Sequence, residues 1–499
     1  MTQEKLQSIE KILLLLTIVL LPFVTLPKRM IINTVGGNAT NYTILALCIV
    51  FAVEVFKFRP KIKSVFVKFF IIFTLARIIT LAIGLINYPY YDLITIDQID
   101  KLQVLVNKIP ALGDGKNLLP YWLFIREAKN IFMDNVTLLG LPVIIWHLFH
   151  TDWQTGFKYM RKAVLILVVI FGTYSFIEIL WLKLHLGIAK DILCFVNPLL
   201  YDPKSAHGWW PPLLWNGQLR SVCPEPSFFG IYASFGIPFL WSYIVDERKT
   251  KDIVLYTYFM LMLFLTKART GLGIFIGEYV LLVLSTLFCR SKKIFLILGI
   301  VSLSSIIAFS MTLVDWKSGN EAISAETYIS ENVTSATKAN ARSNEARFIN
   351  IRATVEVAKR QFFGGVGNNL KNAYIPEYLS EEDYKNSEVA LWTRFMYEKG
   401  ILKSGYPNLN QYINTFVDCG VLGLLLFIAP IVYVLIGLKN NWQRGKFDIN
   451  MLFASIIFVA QFASMIANKY HITYPLALGL CLCVVENSDG KNTKGVEVQ

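Results

Sequence analysis

Charge is scarce in this sequence: 17% of its 499 residues are Asp, Glu, Lys or Arg, while 55% are apolar. That balance excludes an ordinary water-soluble domain and makes the bilayer the solvent. Histidine is scarcer still, with five in the chain, too few and too dispersed for a metal centre. His147 and His150 lie together, but without carboxylate company beyond Asp152, and they read as structural. No C-x-x-C in a polar context occurs among the seven cysteines, so no metal or disulfide framework follows. Cys481 and Cys483 sit in an apolar run as small hydrophobes, whereas Cys194 and Cys223 share a loop and leave one disulfide open. D-x-D, P-loop and Rossmann glycine patterns are missing, which excludes a nucleotide-sugar or NTP site of the usual kind; no cofactor is expected. No acidic or low-complexity tract occurs, so everything before about the last dozen residues is expected to fold. The apolar run from Lys11 to Pro27 lacks a basic n-region and a small-residue cleavage site, and it reads as a retained first helix.

What the chain has is apolar length. Crossing about 30 Å of hydrocarbon needs roughly 20 apolar residues, and about twelve stretches approach that: 11–27, 41–56, 65–87, 131–149, 163–183, 226–245, 252–267, 271–288, 294–314, 412–438, 449–467 and 472–487. Lys and Arg resist translocation, and they gather at Lys57 to Lys63, Lys158 to Lys162, Arg248 to Lys251, Arg290 to Lys293 and Lys439 to Lys446. Each cluster follows an even-numbered span, which places both termini in the cytoplasm and the long segments 88–130, 184–225 and 315–411 outside. The prediction is an all-α integral membrane protein with about 12 transmembrane helices. Its parts are an N-terminal bundle over 1–314, a large helical loop over 315–411 capping the bundle, and C-terminal helices with a short cytoplasmic tail over 412–499. The net charge of +13 is dispersed in short clusters, which fits membrane lipids and an anionic substrate and excludes nucleic acid as partner. Within the loop, Phe348, Ile351, Val355 and Phe362 recur at helical spacing up to Gly364-Gly365, and Arg352, Glu356 and Arg360 form a charge ladder.

Three stretches carry residue types suited to chemistry. In Arg220-Ser221-Val222-Cys223-Pro224-Glu225-Pro226-Ser227, Pro226 suits a first helical turn, placing Glu225 at a helix N-terminus with Arg220 nearby. Glu225 is either a cap with a surface ion pair or a working carboxylate. Lys267-Ala268-Arg269-Thr270-Gly271 is a tight outward hairpin whose two cations defy the charge rule. They either snorkel to headgroups or bind an anion, with the Thr270 hydroxyl and the free amides of the next helix as further donors. The large loop and its exit contribute Arg342, Arg347, Gly364 to Asn368, and Asn410 leading to Asp418-Cys419-Gly420. Arg77, Glu178 and Glu278 lie inside apolar runs and require partners.

The Glu-Pro-Ser core, the Lys-Ala-Arg-Thr-Gly hairpin, Arg347 upstream of Phe363-Gly364-Gly365-Val366-Gly367, and Asn410 to Gly423 resemble, in this order over roughly 215–480, the bacterial O-antigen polymerase and O-antigen ligase families. The Glu-Pro-Ser form is more similar to the polymerases. Ligases usually carry a His before the loop-exit Asn, and Leu409 stands there in this chain. The resemblance implies a GT-C-like glycosyltransferase of the bacterial inner membrane, acting at its periplasmic face on polyprenyl-diphosphate-linked oligosaccharide as both donor and acceptor. It implies metal-independent inverting transfer that builds O-antigen or a related polysaccharide, with a chain-length regulator as a partner protein. Such a donor is already activated, so the enzyme needs cations for the departing diphosphate, here Arg220, Arg269, Arg347 and Lys267. It also needs a general base, with Glu225 first and Asp418 second. Ser227, Thr270, Asn410 and Arg342 are further substrate-binding candidates. A ligase acting on lipid A core is the same-class alternative; a flippase is the other, disfavoured by unlike halves and one long outward loop.

Overall fold

The computed structural model describes residues 2–32, 35–95, 99–109, 115–200, 217–289, 291–334, 342–444 and 448–490, without the side chains of residues 100, 342 and 488–490. The regular secondary structure among the described residues is helical, with two isolated β-bridges, Ile32 to Gly36 and Val314 to Glu321, and no β-sheet. In chain order the helices are α1 (Gln3–Val19), α2 (Ala39–Phe58), α3 (Ser64–Ile86), α4 (Asp100–Lys108), α5 (Leu119–Asn135), α6 (Leu141–Phe149) and α7 (Trp153–Leu184). They continue as α8 (Gly187–Leu200), α9 (Pro226–Glu247), α10 (Thr250–Thr266), α11 (Arg269–Cys289), α12 (Lys292–Leu313), α13 (Ala325–Asn332) and α14 (Arg342–Arg360). The last four are α15 (Ser387–Lys399), α16 (Gln411–Gln443), α17 (Ile449–Ser464) and α18 (Thr473–Gly490). A π-helical turn over Val136–Gly140 joins α5 to α6 in one nearly continuous rod.

A helix stands at each of the twelve apolar stretches, and among the described residues eight are long and apolar enough to cross a membrane: α2, α3, the α5 to α6 rod, α7, α9, α11, α12 and α16. Their ends follow local chemistry. Asn38, Asp152, Asn410 and Asp448 cap α2, α7, α16 and α17 through side-chain oxygens that accept first-turn amides. Arg59, His185, Arg248 and Lys267 take left-handed conformations that stop α2, α7, α9 and α10. The outer faces stay apolar: Phe56, Ile71, Ile79, Phe288, Ile306 and Leu422 are all exposed, as lipid-facing helices require. Helix α9 is instead buried nearly all round. Its small residues Gly230, Ala233, Ser234 and Gly236 let α7, α10, α11 and α17 pack close against it.

Two cores result. One runs through the bundle. The other joins α14, α15 and the segment 366–406 to the ends of α3, α4 and α5 and to Val417 of α16, so the cap shares its interior with the helices it covers. Helix α14 buries a face different from the one its large residues suggest. Ala346, Ile349, Ala353, Val357 and Ala358 are inside, whereas Phe348 is 59% and Phe362 44% exposed. The expected ladder is replaced as well: Arg352 pairs with Asp383, Glu356 with Lys359, and Arg360 lies over the Tyr378 ring. Cys194 and Cys223 are unpaired, and Cys223 is fully buried. Arg77 finds Asp134 at 2.7 Å, and Glu178 accepts the Ser221 amide at 2.7 Å. Glu278 is buried with neither oxygen hydrogen-bonded among the described residues.

Helix α16 breaks at Gly420, where φ is 66 and ψ −173, a conformation that favours glycine. The chain after α14 fills the break: Val421 N–H donates to Phe362 O, Val366 N–H to Val417 O, and Gly367 N–H to Asp418 O. Backbone groups freed by the kink are thereby satisfied.

Candidate functional site

Two helix N-termini form the frame. Helix α9 starts at Pro226, and Glu225 stands before it in extended conformation without capping its own helix. The Glu225 carboxylate accepts instead from Ser227 Oγ at 3.3 Å. Helix α11 starts at Arg269, two residues after the left-handed Lys267 that ends α10. The two helices cross at Gly230 and Gly271, where a Cβ on Gly271 would stand 2.5 Å from the Gly230 Cα. At about 1.5 Å per residue, Glu225 and Arg269 both lie within about 8 Å along their helices from that crossing. Both helices thus bring the positive ends of their dipoles to one place.

The cap meets this frame from above. Arg269 Nη1 donates to Asn344 Oδ1 of α14 at 3.4 Å, and Arg347 stands about one turn further along the same helix. Burial, and then the like charge of Arg269, push the Arg347 guanidinium below its ordinary range, while Glu388 works in the other direction. Arg269, Thr270 and Arg347, read from separate segments of sequence, come together.

The other candidates go elsewhere. Arg220 is buried with its charge facing Glu178, behind the turn that leads to α9. Lys267 is half-buried and within charge range of Lys183. Asn410 spends its oxygen as the α16 cap, accepting from Ile413 N–H at 3.1 Å. Helix α14 begins at Arg342, whose side chain lies outside the described residues.

Asp418 belongs to a second polar cluster. Arg77 donates to Asp134 and Asn135 at 2.7 Å and to Asn368 at 2.9 Å, while Asn368 and Asn369 donate to the buried Glu127 at 2.9 and 2.8 Å. Arg77, Asp134, Gln411, Thr415 and Asp418 line a cleft alongside Phe73 and Phe427. Asp418 Oδ1 is enclosed there without a hydrogen-bond partner among the described residues. Lys371, within charge range of Asp418, donates to Asn414. Burial pushes its ammonium down to about 8, and Asp418 offsets part of that.

A short turn between α17 and α18 bridges the two clusters. Tyr470 donates to Asp134, Lys469 lies 3.9 Å from the same carboxylate, and the His471 ring stands edge-on to Phe228 and Tyr232 of α9. Burial and the Lys469 charge push His471 down to about 4, so its imidazole is neutral near pH 7. Lys371, Lys469 and His471 escaped sequence reasoning. Their signal was a polar island, Asn468 to His471, between two apolar runs, and one lysine inside a mostly uncharged stretch of the loop.

Residues 254–428 match the family model described as O-antigen ligase, and over that stretch the chain is O-antigen ligase- or polymerase-like. Arg269, Arg347, Lys371 and Asp418 lie inside the matched range; Glu225 and His471 lie outside it. No curated protein and no solved structure matches the chain.

Proposed function

We propose that the protein is a membrane glycosyltransferase that polymerises polyprenyl-diphosphate-linked oligosaccharide units into O-antigen or a related surface polysaccharide. The observation that carries this reading is the meeting of Arg269 and Arg347, one from the bundle and one from the cap. Two guanidiniums in a half-buried place repel each other, and with Glu388 as a counter-charge the pair still carries net positive charge that a bound anion balances. A diphosphate on a membrane-embedded lipid suits that place, since each planar guanidinium can fork onto phosphate oxygens. In this reading the helices at the twelve apolar stretches are twelve spans in a GT-C-like arrangement, with this site at the periplasmic face and both termini in the cytoplasm; the basic clusters after each even-numbered stretch support that orientation.

In the proposed reaction the acceptor hydroxyl gives its proton to Glu225 as its oxygen attacks the anomeric carbon of the donor. The bond from that carbon to the diphosphate oxygen breaks on the opposite face, so the anomeric configuration inverts. The electron pair leaves with the diphosphate, and Arg269, Arg347, Thr270 and the α11 amides receive the growing negative charge. Asp418 and Lys371, in the second cluster, position the incoming glycan, and Arg220 serves as the counter-charge of Glu178. The neutral His471 beside α9 supplies a hydrogen-bonding imidazole near Glu225. The Glu-Pro-Ser core favours a polymerase; the O-antigen ligase family match favours the alternative, transfer of finished glycan to lipid A core.

The test is reconstitution in lipid with lipid-linked repeat units as the only substrate. A ladder of lipid-linked products, absent with Arg269→Ala, supports polymerisation. Product formed only when lipid A core is added means a ligase, and a full ladder from Arg269→Ala refutes the assigned site.

A further inference from the structure

Away from the cap, three helices bring a second ionisable cluster together. Glu10 of α1, Glu54 in the last turns of α2 and His147 near the end of α6 are all buried, and their ligand-type atoms lie within 4.8 Å of one another. His147 Nε2 stands 3.2 Å from both Glu54 oxygens. Gln3 and Gln7, one turn apart on α1, both donate to Glu54 Oε1, at 2.9 and 3.0 Å. Glu10 is fully buried, and neither of its oxygens has a hydrogen-bond partner among the described residues; His147 Nδ1 is in the same position. The expectation that His147 lacks carboxylate company is thus overturned, because its partners come from residues 93 and 137 positions away in sequence.

Two carboxylates enclosed beside each other in an apolar bundle are strongly unfavourable unless a cation or a shared proton intervenes. A divalent cation matches the charge, since two carboxylates and a neutral imidazole around it sum to zero. The donor set is one nitrogen and two carboxylates, which suits zinc; calcium and magnesium favour all-oxygen shells. Gln3 and Gln7 hold Glu54 from behind, as outer-shell amides orient a ligating carboxylate.

We propose that Glu10, Glu54 and His147 form a structural site for a zinc-class divalent cation that fastens the α1 and α2 hairpin to the end of the α5 to α6 rod. The site takes no part in glycosyl transfer. Glu127, in the polar cluster beneath the cap, lies on that same rod about 20 residues from His147, which is about 30 Å of helix.

The test uses the full chain purified in detergent with any affinity tag removed. Zinc is measured by mass spectrometry after dialysis, and unfolding is followed with and without added Zn²⁺ or EDTA. About one zinc per chain is expected in wild type, with a melting temperature that EDTA lowers and Zn²⁺ restores. Glu10→Gln, nearly the same shape, loses the metal and the EDTA response, and Gln7→Ala binds zinc at least about tenfold more weakly. Two results overturn the proposal. One is wild type free of zinc and insensitive to EDTA, with Glu10→Gln as stable or more so, which means the two carboxyls share a proton. The other is equal metal content in wild type and in the Glu10→Gln, Glu54→Gln double variant, which means adventitious binding.

Discussion

Replacing Gly271 by alanine tests whether the crossing of α9 and α11 sets the site. The added Cβ would meet the Gly230 Cα at 2.5 Å, its carbonyl carbon at 3.1 Å and its oxygen at 3.3 Å. These are backbone atoms of a helix packed on most sides, so no side chain can swing away. Carbon pairs rest at about 3.5–4.0 Å, so the helices must part by about 1 Å at the crossing. Overpacking of this kind costs about 1–3 kcal/mol. The larger effect is on rate: Arg269 and Thr270 sit two and one residues from the substitution, and a shift of about 1 Å in positioning groups can cost about 100-fold. The assay is the initial rate of polymer formation in reconstituted lipid, normalised to the fraction of protein eluting as a single species. Gly273→Ala is the control, because nothing lies within 4 Å of its added Cβ. It should keep full rate and gain slightly in stability. Wild-type rate and stability in Gly271→Ala, or equal damage in Gly273→Ala, would refute the crossing as the source of alignment.

Arg347→Ala should lower kcat/KM for the lipid-linked donor by about 100-fold or more, and Arg347→Lys should recover little of it, because an ammonium lacks the fork; initial rates over donor concentration decide this. Arg77→Ala should destabilise by about 3–5 kcal/mol by leaving Asp134 short of its main partner. Adding Asp134→Asn should restore part of that loss in a denaturation series. Lys371 is lowered from 10.5 to about 8, so the unfolded chain binds the extra proton between those values. Stability should therefore rise by about 3 kcal/mol as pH climbs through that window, with the full cost of burying the ammonium present below it. In Lys371→Met that rise should vanish from the pH dependence of denaturation.

Helix positions were readable from sequence because the bilayer sets a length, and runs such as 65–87 or 271–288 have no other use for so much apolar surface. The Glu225-Pro226 start and the Lys267 to Gly271 turn were readable for a local reason: proline and a left-handed stop act on their own neighbours. The cap was harder. Its buried face on α14 is lined by Ala346, Ala353 and Ala358, chosen for close approach, so the larger phenylalanines pointed the periodicity the wrong way. The second cluster was out of reach, since Arg77 finds Asp134 and Asn368 at separations of 57 and 291 residues. Nothing local distinguishes Glu10 or Glu54 from any other acid near a helix end. The buried setting of Arg220 was hidden for a related reason: the charge it faces, Glu178, sits on a helix the motif does not include.

The mending of α16 at Gly420 by residues 362–367 bears on how this architecture can be cut and recombined. The described residues of the cap share their core with the helices below, and its chain supplies the amides and carbonyls that a transmembrane helix is missing. It therefore cannot be lifted out as a soluble module, nor exchanged with a relative's cap along the boundaries of residues 315 and 411. A graft that respects the physics takes the ends of α3 and α5 and the first two turns of α16 along with it. Substrate range in such proteins would then diversify by substitution within the shared interior more readily than by shuffling of whole loops.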